Sequence, residues 1–159
     1  MNDLLILNYH SIYQSNIEVP ADKVYSVEAD AFRKQMAFIC QMGWKVVTVD
    51  EIPFLTSENR LSVAITFDDA NQSDCQITAS ILNEFGFKAT FFLPADNVMD
   101  EKRMREYLLL VEKGHCIGPH GVTHRYLTDL DHQEQINEIE GSKAFIEEKT
   151  ELNVDYFAL

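Results

Sequence analysis

The stretch Ser62-Val63-Ala64-Ile65-Thr66-Phe67-Asp68-Asp69 constrains this chain more than any other. Apolar, β-prone residues run straight into two adjacent carboxylates, which reads as a buried strand whose end opens into a site. Neighbouring side chains on a strand point to opposite sides. Asp68 and Asp69 are therefore expected to do different work, one holding a metal and the other handling a proton. A second cluster lies at His120-Gly121-Val122-Thr123-His124. Two imidazoles four residues apart can meet on one face of a helical turn and grip one ion. Asp69, His120 and His124 together would make a two-histidine, one-carboxylate site.

The rest of the chain reads as alternating strands and helices. Leu4 to Tyr9 is expected to be a first buried strand, with His10 at its end. Residues 11–28 are mixed and polar and read as a loop. Phe32, Met36, Ile39 and Cys40 have helical spacing, with Gly43 as the terminating residue. Trp44 to Val49 reads as a strand, and Asp50 to Pro53 starts a short helical or turn segment. After the carboxylates, Ile77, Ile81, Leu82 and Phe85 form a helical stripe closed by Gly86. Lys88 to Leu93 is a strand, residues 101–113 an amphipathic helix stopped by Gly114, and His115 to Gly118 a short strand. Asp131 can cap a long helix to about Lys149 with Ile136, Ile139 and Ile146 on its core side. Asn153 to Ala158 is expected to be a last strand.

Such alternation, with about six strands, argues for parallel strands covered by helices. Sites in that architecture collect at the C-terminal strand ends. His10, Asp68-Asp69 and the His120 cluster all fall there. The 159 residues are expected to form one domain, residues 1–159.

Composition narrows the partners. With 26 acidic and 13 basic side chains the formal charge is −13. Nucleic acid and anionic membrane surfaces both call for basic patches, so neither is expected as a partner. Three cysteines, Cys40, Cys75 and Cys116, make no paired framework. Met1-Asn2-Asp3 enters the first apolar run with no basic leader, and no stretch is long and apolar enough for a membrane span. The chain as written is expected to be cytoplasmic, while a processed, extracytoplasmic chain fits the same residues.

Taken together, Thr66-Phe67-Asp68-Asp69 and His120-Gly121-Val122-Thr123-His124 resemble the first two motifs of the polysaccharide deacetylase family, or NodB-homology domains. Tyr9-His10 resembles that family's opening strand, and Gly86 to Phe92 the strand after its first helix. Gly118-Pro119 through Leu130 extends the second motif. The resemblance implies an α/β fold, a distorted (β/α) barrel, here incomplete at about six strands. It implies a divalent metal, usually zinc, held by Asp69, His120 and His124. It implies Asp68 as the general base that activates the attacking water, and N-acetylated oligo- or polysaccharide as substrate. His and carboxylate ligands alone suit zinc, iron, cobalt and manganese.

Two departures stand out. Ala70 occupies a place where the family's first motif most often has glycine. The family's later motifs, bearing an arginine and a Leu-x-His histidine, have no counterpart up to Leu159. The expected function is hydrolytic removal of acetyl groups from carbohydrate amide nitrogen. The alternative is a non-catalytic fragment or pseudoenzyme that keeps the metal and sugar site. A third reading is another metal-dependent amidohydrolase acting on a small amide. An open barrel also predicts exposed strand edges, and with them self-association or poor stability.

Several residues keep two readings. His10 either lines the site or bonds a neighbouring carbonyl. Asn71, with Ser73 and Asp74, either contacts substrate or starts the next helix. Cys116 offers a Cys-x3-His-x3-His alternative to the carboxylate site, or points into the core.

Overall fold

The computed structural model describes residues 3–17, 20, 23–56 and 61–159. Positions 1 and 2, on which the reading of the N-terminus rests, lie outside them, as do residues 18, 19, 21 and 22. Seven strands and four α-helices are formed among the described residues: β1 (Asp3–Tyr9), β2 (Ser11–Tyr13), β3 (Ser26–Glu28), α1 (Ala29–Met42), β4 (Lys45–Val47), β5 (Leu61–Phe67), α2 (Ala79–Glu84), β6 (Thr90–Leu93), α3 (Glu101–Glu112), β7 (Cys116–Pro119) and α4 (His132–Thr150).

The apolar run read first becomes the middle of the main sheet. β5 pairs in parallel with β1 along its whole length, from Asp3 opposite Leu61 to Tyr9 opposite Phe67. Two strands share its other edge: β4 against Ser62 to Ala64, and β6 against Thr66 and Phe67. The Val49 N–H donates to Thr90 Oγ1 at 2.9 Å and pins the exit of β4 to β6. β7 then pairs with β6. All five strands run parallel, so their C-terminal ends meet at one rim. The sheet stays open among the described residues.

Beneath that rim the aromatic rings lock the strand ends together. Tyr9, Phe67 and Phe91 stack across β1, β5 and β6 with ring centres 5.3 and 5.2 Å apart. Phe32 of α1 meets Tyr9 and Phe67 edge-on. Each ring removes a large apolar area from water and adds a geometric preference. The helix over them follows from sequence: Glu28 caps it by accepting from the Asp30 and Ala31 N–H groups, and Gly43 ends it at φ +65°. Ala29, Phe32, Met36 and Ile39 form its buried stripe.

Several expectations need correction. β1 is not buried: Leu4, Leu5 and Ile6 are exposed, Ile6 at 53%. Its apolarity is real, but β1 is the edge strand, and its second edge has no partner strand among the described residues. The stretch read as a loop at 11–28 contains β2 and β3, which pair with each other in parallel. Asn153 to Ala158 forms no strand. A single backbone bond, Ala158 N–H to the Pro119 carbonyl at 3.2 Å, holds it to β7. Tyr156 adds a side-chain bond to the Ile117 carbonyl at 3.1 Å. On α4, Ile146 is buried as expected, but Ile139 is 38% exposed, and Glu138 and Ser142 take the inner face.

Candidate metal centre

β5 ends at Phe67, where the chain leaves the strand and enters a turn. Asp68 still extends the ladder, its N–H donating to the Tyr9 carbonyl at 3.0 Å. Asp69 and Ala70 then adopt left-handed backbone at φ +74° and +55°. That region is unfavourable for residues with a Cβ and marks a site held by its surroundings. The two carboxylates therefore part company through this turn, not through the pleat. Two bonds hold the turn: Asn97 Nδ2 donates to the Asp69 carbonyl at 3.0 Å and Arg103 Nη2 to the Ala70 carbonyl at 2.6 Å.

The histidine pair also meets by a route other than the expected helical turn. Residues 120–126 are loop, with Gly121 at φ +77° and His124 at φ +59°. The imidazole centres lie 5.0 Å apart. Backbone N–H groups of Ala95 and Asp96 donate to the Gly121 and Val122 carbonyls, both at 3.0 Å. The turn after β6 thus grips both loops at once, through Ala95 and Asp96 on one side and Asn97 on the other.

The structure brings Asp69, His120 and His124 together, with one ligand atom from each within 4.8 Å of the others. Asp69 Oδ1 is 2.9 Å from His124 Nε2 and 3.5 Å from His120 Nε2. That oxygen is buried and makes no hydrogen bond of good geometry. His120 Nδ1 lies 3.1 Å from the Ala158 carbonyl, which can only accept, so Nδ1 carries the proton. Nε2 is thereby turned to Asp69 as the free donor atom, the usual arrangement of a ligating imidazole. These residues fit a divalent cation: two imidazole nitrogens and one carboxylate oxygen, with an outer partner on one ring.

Electrostatics agree. The close approach of His120 Nε2 holds the Asp69 carboxyl below its usual value, with His124 and His10 adding to the effect against the opposing influence of burial. Burial disfavours the charged His120 ring, yet Asp69, the Ala158 carbonyl and Asp68 outweigh it and raise its pKa. The site is built for positive charge, and a proton and a cation compete for the same nitrogen.

Asp68 lies beside this group and is 5% exposed. Asn8 Nδ2 donates to its Oδ2 at 2.8 Å, and Asn8 Oδ1 in turn accepts from Thr66 Oγ1 at 3.0 Å. Its other oxygen, Oδ1, is buried with no hydrogen-bond partner. His10 stands at the edge of the site, with Nε2 4.0 Å from Asp69 Oδ2 and its ring 4.8 Å from that of Tyr25. Asn71 turns its amide back to the Asp68 carbonyl at 3.2 Å, Ser73 Oγ accepts from the Ile12 N–H at 3.1 Å, and Asp74 is buried against Tyr107. Cys116 is not part of the cluster. Its Sγ lies 2.8 Å from Tyr156 Oη, and burial pushes its thiol up to about 11.

Asn8, Asn97, Arg103, Glu138 and Ala158 were not singled out in the sequence. Asn8 carried the best signal, a lone amide between apolar Leu4–Leu7 and Tyr9-His10. The contribution of Ala158 is a backbone carbonyl, which no residue type announces.

Comparison with known proteins gives a consistent picture. YxkH of Bacillus subtilis is 28% identical over 150 residues, covering 88% of this chain and 50% of that protein. Chitin deacetylase 1 of Saccharomyces cerevisiae is 31% identical over 132 residues, covering 82% of this chain and 40% of that protein. The chain thus spans half or less of the length of these relatives. The fold matches that of the Streptococcus pyogenes deacetylase PplD with a TM-score of 0.86 at 21% identity, over 97% of this chain and 72% of that one. A profile of the polysaccharide deacetylase family matches residues 56–159, so this chain belongs to that family.

Proposed function

We propose that this chain removes acetyl groups from N-acetylated carbohydrate by metal-dependent hydrolysis of the amide, with zinc as the ion. The observation that carries the proposal is the convergence of Asp69 Oδ1, His120 Nε2 and His124 Nε2 beside the free oxygen of Asp68. Membership of the polysaccharide deacetylase family supports the substrate class.

When bound, a divalent cation lowers the pKa of water and polarises an amide carbonyl. The chain's own residues supply the rest. Asp69, His120 and His124 would hold the ion. Asp68 accepts the proton of the attacking water at Oδ1, the oxygen that no neighbour occupies. Asn8 holds the opposite oxygen, so the carboxylate presents a fixed face. His124 is exposed, so the site opens to solvent on that side, as access for a polymer requires.

Acetate release from a short N-acetylglucosamine oligomer by the zinc-loaded chain tests this. Release is expected, falling at least about a hundredfold in Asp68→Asn, the loss typical of a removed general base. Zinc bound without any release would leave a metal-binding module, and release untouched by Asp68→Asn would remove Asp68 from the chemistry.

A further inference from the structure

α4 spends part of its inner face on a carboxylate. Glu138 is 4% exposed, at a place where an aliphatic side chain would pack at no electrostatic cost. Its bonds all go to one target. Oε2 accepts from the Val122 N–H at 2.6 Å and the Thr123 N–H at 2.9 Å, and Oε1 accepts from the Thr123 hydroxyl. Val122 and Thr123 are residues between the two histidines. Arg125 Nη2, 4.0 Å from Oε1, offsets the charge from the far side of the same loop.

Two backbone features belong to this contact. Gly121 sits at φ +77°, and a Cβ there would come within 2.9 Å of Glu138 Oε2. The glycine is what lets the carboxylate reach the two N–H groups. Immediately beyond the second of them, His124 is held at φ +59°, a conformation an unsupported non-glycine residue avoids. The loop is thus gripped on both faces. Its carbonyls at Gly121 and Val122 are bound by Ala95 and Asp96, and its N–H groups at 122 and 123 by Glu138. Of the two rings, His120 is fixed by the Ala158 carbonyl, while no partner beyond the cluster fixes His124 among the described contacts. The approach of His124 to Asp69 therefore depends on the loop that carries it.

We propose that Glu138 is a positioning residue for the cation: by binding Val122 and Thr123 it sets the left-handed turn that aims His124 Nε2 at Asp69. This rests on the metal-site reading above. Glutamine at 138 keeps the shape but puts an amide N–H₂ where one acceptor oxygen stood, facing a donor. The ring of His124 is then free to swing from the cluster, so the cost falls on cation affinity rather than on the fold as a whole.

The test is the zinc dissociation constant of the whole chain, measured by competition with a chromophoric chelator and without substrate. Glu138→Gln is expected to raise it by about 10- to 100-fold, the range for outer partners of metal ligands. Acetate release at low zinc should fall in parallel and recover at saturating zinc, which a general loss of structure would not allow. Thr123→Val keeps the side-chain volume, removes the hydroxyl donor, and is expected to weaken zinc in the same direction. It decides the matter if Glu138→Gln does not fold. Glu140→Gln, an exposed carboxylate on the same helix, should bind zinc like the parent. Affinity within twofold of the parent in folded Glu138→Gln, or in Thr123→Val where Glu138→Gln does not fold, would overturn the proposal. A parent chain that takes up no zinc would instead overturn the site reading beneath it.

Discussion

Arg103 donates to the carbonyl oxygen of Ala70 at 2.6 Å, reaching from α3 to the second of two consecutive left-handed residues. Left-handed backbone costs a residue with a Cβ about 1–2 kcal/mol. The charged hydrogen bond offsets part of that cost and fixes the direction of the turn carrying Asp69. Arg103→Met keeps the stem and removes the donor. It is expected to destabilise the chain by about 2 kcal/mol, the value of a hydrogen bond to a charged group, seen as a lower urea midpoint at unchanged slope.

Asn8 is predicted to matter for rate and not for metal. Its amide holds Asp68 Oδ2 at 2.8 Å, and it lies on the exposed edge strand, where truncation leaves no cavity. Asn8→Ala should lower kcat by about 10- to 100-fold through misplacement of the carboxylate. Its zinc affinity should stay at the parent value, while its thermal midpoint should fall, because Asp68 Oδ2 and the Thr66 hydroxyl, both buried, lose their partner. Equal kcat would mean that Asp68 needs no such support.

Asp74 predicts a pH dependence of stability. It is fully buried in a π-helical turn, Asp74–Thr78, that precedes α2. Tyr107 donates to its Oδ2 at 2.8 Å, and Oδ1 has no partner. Burial pushes its carboxyl up to about 8. The folded chain therefore keeps a proton that the unfolded chain gives up above about pH 4. The stability this group contributes is complete below that pH and is lost as pH rises towards 8. Asp74→Asn carries no charge at any pH. Urea midpoints between about pH 5 and pH 8 should fall in the parent and be flatter in this variant, which should be the more stable of the two at the upper end.

Gly118 packs where nothing larger fits. A Cβ there would lie 2.7 Å from the Tyr156 ring and 2.9 Å from the Phe92 ring. Those two rings meet edge-on, with Tyr156 anchored to the Ile117 carbonyl. Gly118→Ala should cost about 1–3 kcal/mol by overpacking. It should also loosen the 153–158 segment, which hydrogen–deuterium exchange would detect as faster exchange at Ala158.

The parts of this structure that were legible in sequence are those set by local chemistry. Gly43 ends α1, Asp131 caps α4, and the run from Ser62 to Phe67 is the buried strand it looks like. The Asp69, His120 and His124 grouping was legible through residue type and position at strand ends. The parts that were not legible depend on what lies across space. Leu4 to Leu7 read as buried because they are apolar, but burial of a strand depends on its neighbours, and β1 has one partner strand among the described residues. Ile139 fits an apolar stripe, yet α4 is rotated so that Glu138 can satisfy the loop N–H groups. The histidine spacing fits a helical turn, but Gly121 at φ +77° makes the tighter loop instead. Ala70, standing where the family's first motif most often has glycine, holds a φ of +55°, the backbone for which glycine is suited.

X-ray absorption at the zinc edge of the stoichiometrically loaded chain reads the ligand set of the ion. Two imidazoles and oxygen ligands at about 2.0–2.2 Å are expected, with no sulfur scatterer, and one imidazole fewer in His124→Ala. A sulfur shell near about 2.3 Å would assign the ion to Cys116 in place of Asp69, and a shell without histidine would remove the metal from this site altogether.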